Sequence, residues 1–441
     1  MEGINRAHSA TTWLQRMAHW DMVEHREPRT SEELASWLRL AAEPELSRAN
    51  ATQLLKAMGL PQHIFSSSAS ALGRLLPRDL AIRLAAPAEA DVQAAVDKAL
   101  HLLAQPGHHL LTLADESYPA SLFGTGDPPI VLYIRGNPQL LRQPSVAIVG
   151  ARNATEGGKD NARAFARHLA GRGWVITSGL ARGIDAAAHE GALQAGASGG
   201  GTIAVLACGL DITYPRQNAA LAEAIAVDGA LITEYPPGTP ALPFRFTDRN
   251  RLVAALARGL LVVEAASQSG SLGTARLAAE YGREVFAIPG SIHAPLSRGC
   301  HALIRQGAKL VEQGRDIEEE LTRTGAIPPA LEKEAGAVRP RAARHRSTSD
   351  ASSHNLAFAF NEPTDSAPSQ PSRGAGRMLK DPTVGRVLTA LGYDPASADL
   401  LCRRSGLDFS RVAAILTELE LNDIVQRQDD GRYVRRQQGI I

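Results

Sequence analysis

The chain has 441 residues, 44% of them hydrophobic and 21% charged, which exceeds the ~250 to 300 residues that one hydrophobic core can serve and implies two to four domains. A formal net charge of only +1 excludes a nucleic-acid partner held by bulk charge, so any such site must come from local clusters of arginine. Cys208, Cys300 and Cys402 lie far apart with no CxxC pair, which excludes a disulfide framework and a zinc site, and the absence of any run of ~18 apolar residues excludes a membrane partner.

Residues 1 to 105 place apolar side chains at helical spacing, as in Leu34, Leu38, Leu54, Leu55 and Met58, with Gly59 and Pro61 ending one helix. A small helical domain is expected there. Its amino terminus has no apolar stretch behind a basic start, so the reading is a cytoplasmic protein. Residues 106 to 144 carry Pro, Gly and two short extended runs, and predict a hairpin leading into a sheet. From about 145 to 325 the runs SVAIVG, GWVITSG, TIAVLACG, ALITEY, LLVVEA and EVFAIPG alternate with amphipathic stretches. Strands alternating with helices specify right-handed crossovers, hence an α/β fold with a doubly wound, Rossmann-like, mostly parallel sheet. The core domain is therefore drawn over residues 106–326. Residues 327–378 collapse into Pro, Ser, Ala and Arg, a composition that cannot offset the entropy of ordering, and a disordered linker is expected. Residues 379–441 regain helical periodicity and end in IVQRQDDGRYVRR, which predicts three helices and a two-strand wing turned at Asp-Asp-Gly: a winged helix.

In an open α/β sheet, ligands bind beyond the carboxyl ends of the strands. Here those ends read Gly150-Ala151-Arg152, Ser178-Gly179-Leu180-Ala181-Arg182-Gly183, Cys208-Gly209, Glu234, Ser267-Gln268-Ser269-Gly270-Ser271 and Pro289-Gly290-Ser291. Glycine-rich turns with exposed amides at helix starts form anion sites. Tight turns alone account for the glycines of one loop, but poorly for so many on one edge. A dinucleotide is excluded because GARNATEGG is not G-x-G-x-x-G and no acidic residue ends the second core strand; no Walker motif GxxxxGK[ST] occurs either. No cofactor is expected.

The strings VAIVGAR, SGLARGIDAAAH, TIAVLACGLDITYPRQN, FTDRNRLVAAL, VVEAASQSGSLGTARLAAEYGREVFAIPG and SRGCHALIRQGA resemble, in order and spacing, the DNA-processing protein A (DprA/Smf) family over roughly residues 110 to 315. The resemblance implies a non-enzymatic Rossmann-like core that binds single-stranded DNA, protects it, forms a homodimer and loads RecA recombinase in natural transformation. It also implies a SAM-like helical domain before the core and a winged helix after it. Two positions depart from the family pattern: Thr247 stands where Pro often follows Phe, and Gly273 replaces a bulky residue.

Residue by residue, Arg152 directly follows the first core strand, where a guanidinium can clamp phosphate bidentately. Arg249 and Arg251 flank Asn250 at what reads as a helix start, where basic side chains oppose the dipole and so point to binding. Removing either Arg152 or Arg249 is expected to leave stability nearly unchanged. Phe244 and Phe246 lie among Arg245 and Arg249, a setting for stacking an unpaired base; core packing is expected of one of them, and the resemblance favours Phe246 as the stacker. Ser269, Gly270, Ser271 and Thr274 form a helix-start phosphate loop, to which Gly150, Ser178, Gly179, Arg182 and Gly183 add amides and charge. Asp185 and His189, four apart on one helix, read as a capping pair rather than acid and base. Glu234 and Glu264 each end a strand and read equally as a carboxylate pair or as structural acids. The third helix of the winged unit, roughly Ser410 to Leu421, sets Arg411 against Glu418 and Glu420, too acidic for a groove reader and better suited to a protein contact or a modulatory role. Two other functions compete: a nucleotide-processing enzyme similar to lysine-decarboxylase-like phosphoribohydrolases, through GSLGT, and a transcription regulator acting through the winged helix.

Overall fold

The computed structural model describes residues 30–323, 325, 328, 381–422, 424–428 and 430–436; residue 327 and residues 329–378 of the expected linker lie outside the described residues. The chain divides into two compact units at Pro329.

Among the described residues of the first unit, six helices come first: α1 Ser31–Ala42, α2 Arg48–Met58, α3 Pro61–Phe65, α4 Ala69–Leu72, α5 Arg78–Ala85 and α6 Ala90–Leu103. Thr30 and Ser47 cap the first two by accepting from the amides of Glu33 and Asn50, and Gly59 ends α2 with φ +86°, a conformation natural to glycine. Trp37, Leu38, Leu54 and Ile64 are fully buried. They share one hydrophobic cluster with sheet residues such as Leu132, Ile232 and Leu260, so the helices are packed onto the sheet layer. At roughly 1.5 to 3 kcal/mol per large buried apolar side chain, this contact is a major part of the unit's stability.

The sheet has nine strands: β1 His108–Thr112, β2 Val131–Gly136, β3 Ser145–Val149, β4 Val175–Ser178, β5 Thr202–Val205, β6 Ala230–Thr233, β7 Gly259–Val262, β8 Glu284–Ala287 and β9 Lys309–Leu310, in the order β1-β2-β6-β5-β4-β3-β7-β8-β9. β1 and β2 form the expected lead-in hairpin, and β2 joins β6 antiparallel. From β6 to β9 every pairing is parallel. Strands β3 to β7 are buried along their whole length, which is why they read as continuous apolar runs. The intervening helices are α7 Glu156–Gly171, α8 Ile184–Leu193, α9 Ala219–Asp228, α10 Pro243–Leu256, α11 Gly270–Glu280, α12 Arg298–Arg305 and α13 Gly314–Arg323. Side chains of α7, α8 and α13 belong to one cluster and those of α10 and α11 to the other, so the sheet is covered on both faces. The chain leaves β3 for β4 on one side and reaches β7 on the other. The topological switch point therefore lies between β3 and β7, and the crevice beyond their carboxyl ends is where such sheets bind ligands.

The second unit contains α14 Pro382–Leu391, α15 Ala398–Ser405 and α16 Phe409–Leu421, followed by β10 Val425–Arg427 and β11 Tyr433–Arg435 paired antiparallel. It is the expected winged helix, with its own core around Val387, Leu401, Val412 and Leu416. Among the described residues no helix is long and apolar enough to cross a membrane.

Candidate nucleic-acid interface

A cleft of about 520 Å³ opens at the switch point, walled by the β3 turn, the loop after β4, the amino-terminal half of α10 and the amino end of α11. Its shape depends on close backbone approach. A Cβ at Gly150 would strike Ile184 and the Glu264 carbonyl, and one at Gly183, where φ is +79°, would strike the carbonyls of Ala151 and Arg152. The β3 turn then leads into α7, where Thr155 caps the helix by accepting from the Gly158 amide. Glu264, at the end of β7, accepts from the Thr155 amide at 2.9 Å and its hydroxyl at 2.5 Å. This carboxylate ties the two diverging strands together.

The loop after β4 is held more tightly still. Ser178 is buried and its hydroxyl donates to the Ile148 carbonyl at 2.6 Å, so it braces β3 rather than facing the cleft. Leu180 adopts φ +56°, a left-handed conformation that costs a non-glycine residue about 1 kcal/mol or more. Two side chains clamp it there: Asp185 accepts from the Gly179 and Ala181 amides at 3.2 and 3.3 Å, and Asn218 Nδ2 donates to the Leu180 carbonyl at 2.9 Å. Burial pushes the Asp185 carboxyl up, while Arg249 and the two amides pull it back. His189 is fully buried with Nδ1 2.7 Å from the Thr202 hydroxyl, and burial lowers its pKa to about 3. Asp185 orients a loop, and His189 stays neutral in the core. Neither is placed as an acid or base for a ligand.

The two arginines around Asn250 diverge, because a helix turns about 200° over two residues. Arg249 is only 3% exposed. Its guanidinium donates to the carbonyls of Gly179, at 2.6 Å, and Val205, gathering the ends of β4 and β5 at the cleft floor. Arg251 points the other way and pairs with Glu234, which also accepts from Arg48 of α2 at 2.9 Å. Arg251 is thus not brought to the cleft. The expectation that both sit at a helix start is corrected as well: α10 begins at Pro243, so Arg249 lies beyond its first turn and the dipole gives no reason for its charge. The expectation that losing Arg249 spares stability fails for the same residue, since its charge is buried among backbone carbonyls.

Arg152 and Arg182 are exposed. The Arg152 guanidinium lies over the Phe246 ring, 5.2 Å from its centroid, and Tyr214 meets the same ring at 5.3 Å. Phe246 is half-buried, neither a core residue nor an open platform, and Phe244 is 58% exposed. Arg245, in the first turn of α10, is engaged by the loop before it, donating to the Pro240 carbonyl at 2.5 Å and lying over Tyr235 and Phe244. On the far wall Ser269 caps α11, accepting from the Ser271 amide at 3.4 Å, with the two hydroxyls 2.7 Å apart; Thr274 donates to the Gly270 carbonyl at 3.5 Å. Both Ser271 and Thr274 line the cleft although largely buried. Gly273 has open space where a Cβ would go. Glu234 and Glu264 each have partners of their own, Arg251 with Arg48 and Thr155 respectively. Sequence reasoning missed Tyr214 and Asn218, although both stand in TYPRQN, a string it quoted only as part of a resemblance.

These features define a doubly wound α/β protein with a crevice at its switch point, fringed by arginine and aromatic side chains. The family model described as DNA recombination-mediator protein A matches residues 109–322, and that of the DprA winged helix domain matches 363–431. The chain is 47% identical to the DNA processing protein DprA of Streptococcus pneumoniae over 209 residues, 47% of this chain and 73% of that protein. It is also 47% identical over 227 residues to Protein Smf of Escherichia coli, 51% of this chain but 60% of that protein's length. The X-ray structure of the Streptococcus pneumoniae DprA superposes with a TM-score of 0.57 at 34% identity, covering 67% of this chain and 99% of that one. The chain belongs to the DprA/Smf family.

Proposed function

We propose that this protein binds single-stranded DNA along the carboxyl edge of its sheet, protects it and delivers it to a RecA-type recombinase during transformation, acting as a binding protein and not as an enzyme. The observation that carries the reading is the exposed Arg152 standing over Phe246 at the mouth of the switch-point cleft. A guanidinium beside an aromatic cluster suits a chain that offers phosphate and unpaired base together, and a duplex keeps its bases out of reach. The amides and hydroxyls of the Ser269 loop, at the amino end of α11, add a second phosphate position. Gly150, Gly179 and Gly183 let the backbone come close, Asn250 lies at the cleft and Arg182 extends the charge. The family model's description as a recombination mediator supports the recombinase as partner. A homodimer is part of the reading: β9 is an edge strand with Leu310 half-exposed, and Ile292 is 73% exposed, surfaces that a second copy of the core would cover. Three unpaired cysteines fit a reducing cytosol.

The test is the affinity of the full chain for a single-stranded oligonucleotide, its duplex and a mononucleotide at equal salt. Tightest binding to the single strand, weakening steeply as salt rises, is expected. Tighter binding to the duplex would refute the reading.

A further inference from the structure

A second hollow lies across the ridge that Arg152 and Phe246 form. It measures about 50 Å³, with Leu206, Ala207 and Cys208 lining it opposite Arg182 and Tyr214, and it shares Arg152 and Phe246 with the larger cleft. Its lining is apolar and uncharged on one side, since Leu206, Ala207 and Cys208 are all buried. Burial pushes the Cys208 thiol up to about 11, and its Sγ donates to the Ile212 carbonyl at 3.3 Å. Tyr214 is 47% exposed and tilts at 54° to Phe246. With Arg152 standing over the half-buried Phe246, Tyr214 carries the more exposed aromatic ring at the hollow. A space of about 50 Å³ holds a water or two but cannot enclose a base. A base meeting this hollow would therefore lie across its rim, against the tyrosine ring.

We propose that this hollow is a second nucleobase subsite: a single strand crosses the Arg152–Phe246 ridge with its phosphate held by Arg152 and Arg182, one base entering the switch-point cleft and its neighbour stacking on Tyr214. The inference rests on the single-strand reading above and assigns a register to it. Stacking on an open ring is indifferent to base identity.

The experiment compares the full-length wild type with Tyr214→Ala, Tyr214→Phe and Arg152→Ala, using an oligothymidine and an abasic oligonucleotide of equal length. Tyr214→Ala should bind oligothymidine about tenfold more weakly, within the range for a lost stacking contact, and Tyr214→Phe should stay within about twofold of wild type. Both should bind the abasic chain as the wild type does, while Arg152→Ala weakens binding to both. Melting curves confirm that each variant is folded. Should Tyr214→Ala perturb folding, quenching of a fluorescent purine in the bound strand, retained in Tyr214→Phe and reduced in Tyr214→Leu, reads the same contact. Wild-type affinity for oligothymidine in a folded Tyr214→Ala, or an equal loss on the abasic chain, overturns the subsite. If Arg152→Ala also binds both chains normally, the edge itself is misassigned.

Discussion

The sheet edge and the winged helix both carry exposed arginines, in different settings. At the edge, Arg152 and Arg182 are exposed beside an aromatic pair and the amino end of α11. In the winged unit the helix that would enter a groove, α16, exposes Glu418, Glu420 and Leu421 with Arg411, and further arginines lie elsewhere: Arg403 and Arg404 in the last turn of α15, where they suit the helix dipole, and Arg427, Arg432 and Arg435 on the wing. Arg432 pairs with Asp430 at 2.6 Å, and Arg427 lies over Tyr433. A net charge of +1 conceals this contrast. What matters is whether an exposed guanidinium stands at a cleft and a helix amino end, as Arg152 does, or pairs with a carboxylate outside any such cleft, as Arg432 does with Asp430.

The comparison breaks most sharply where charge is buried. Glu234 is 5% exposed and holds Arg251, whose side chain is 10% exposed, together with Arg48. Glu234→Ala should cost about 3 to 5 kcal/mol of stability, because it strands a buried guanidinium. The matching deletion on the winged helix, Glu420→Ala, should change stability by less than about 0.5 kcal/mol. Equal melting temperatures for the two variants would contradict the buried ion cluster.

Arg249→Ala should destabilise by about 1.5 to 3 kcal/mol, since two carbonyls lose a charged donor, whereas Arg411→Ala should be close to neutral. Denaturant midpoints separate them.

A smaller effect appears with pH. Folding depresses the His189 pKa from 6.5 to about 3, so the unfolded chain binds a proton that the folded chain refuses. Stability from this group is fully present above pH 6.5 and is lost as pH falls toward 3, with a slope approaching about 1.4 kcal/mol per pH unit. His189→Gln should flatten that loss. Asp185 titrates in both proteins, and its contribution cancels in the comparison. An unchanged pH profile in the variant would show that His189 is not held neutral.

Much of this was legible in the sequence. Strands β3 to β8 carry apolar or β-branched runs, and the glycines at their ends mark the edge; β9, at two residues, is too short to show a period. The winged helix was visible from its periodicity and its Asp-Asp-Gly turn. At the site, Arg152, Phe246 and the Ser269 loop do meet in the cleft. What stayed hidden is direction. Arg249 and Arg251 look alike in sequence, but α10 sends one to the cleft floor and the other to Glu234. Tyr214 meets Phe246 in space although the two stand far apart in the chain.

The most direct measurement is the salt dependence of single-strand binding by Arg152→Ala beside the wild type. One lost phosphate contact should lower affinity and reduce the slope of log K against log salt by about 0.7 for a single strand, with the melting temperature nearly unmoved because Arg152 is exposed. Affinity and slope identical to wild type would place the strand away from this edge and contradict the account.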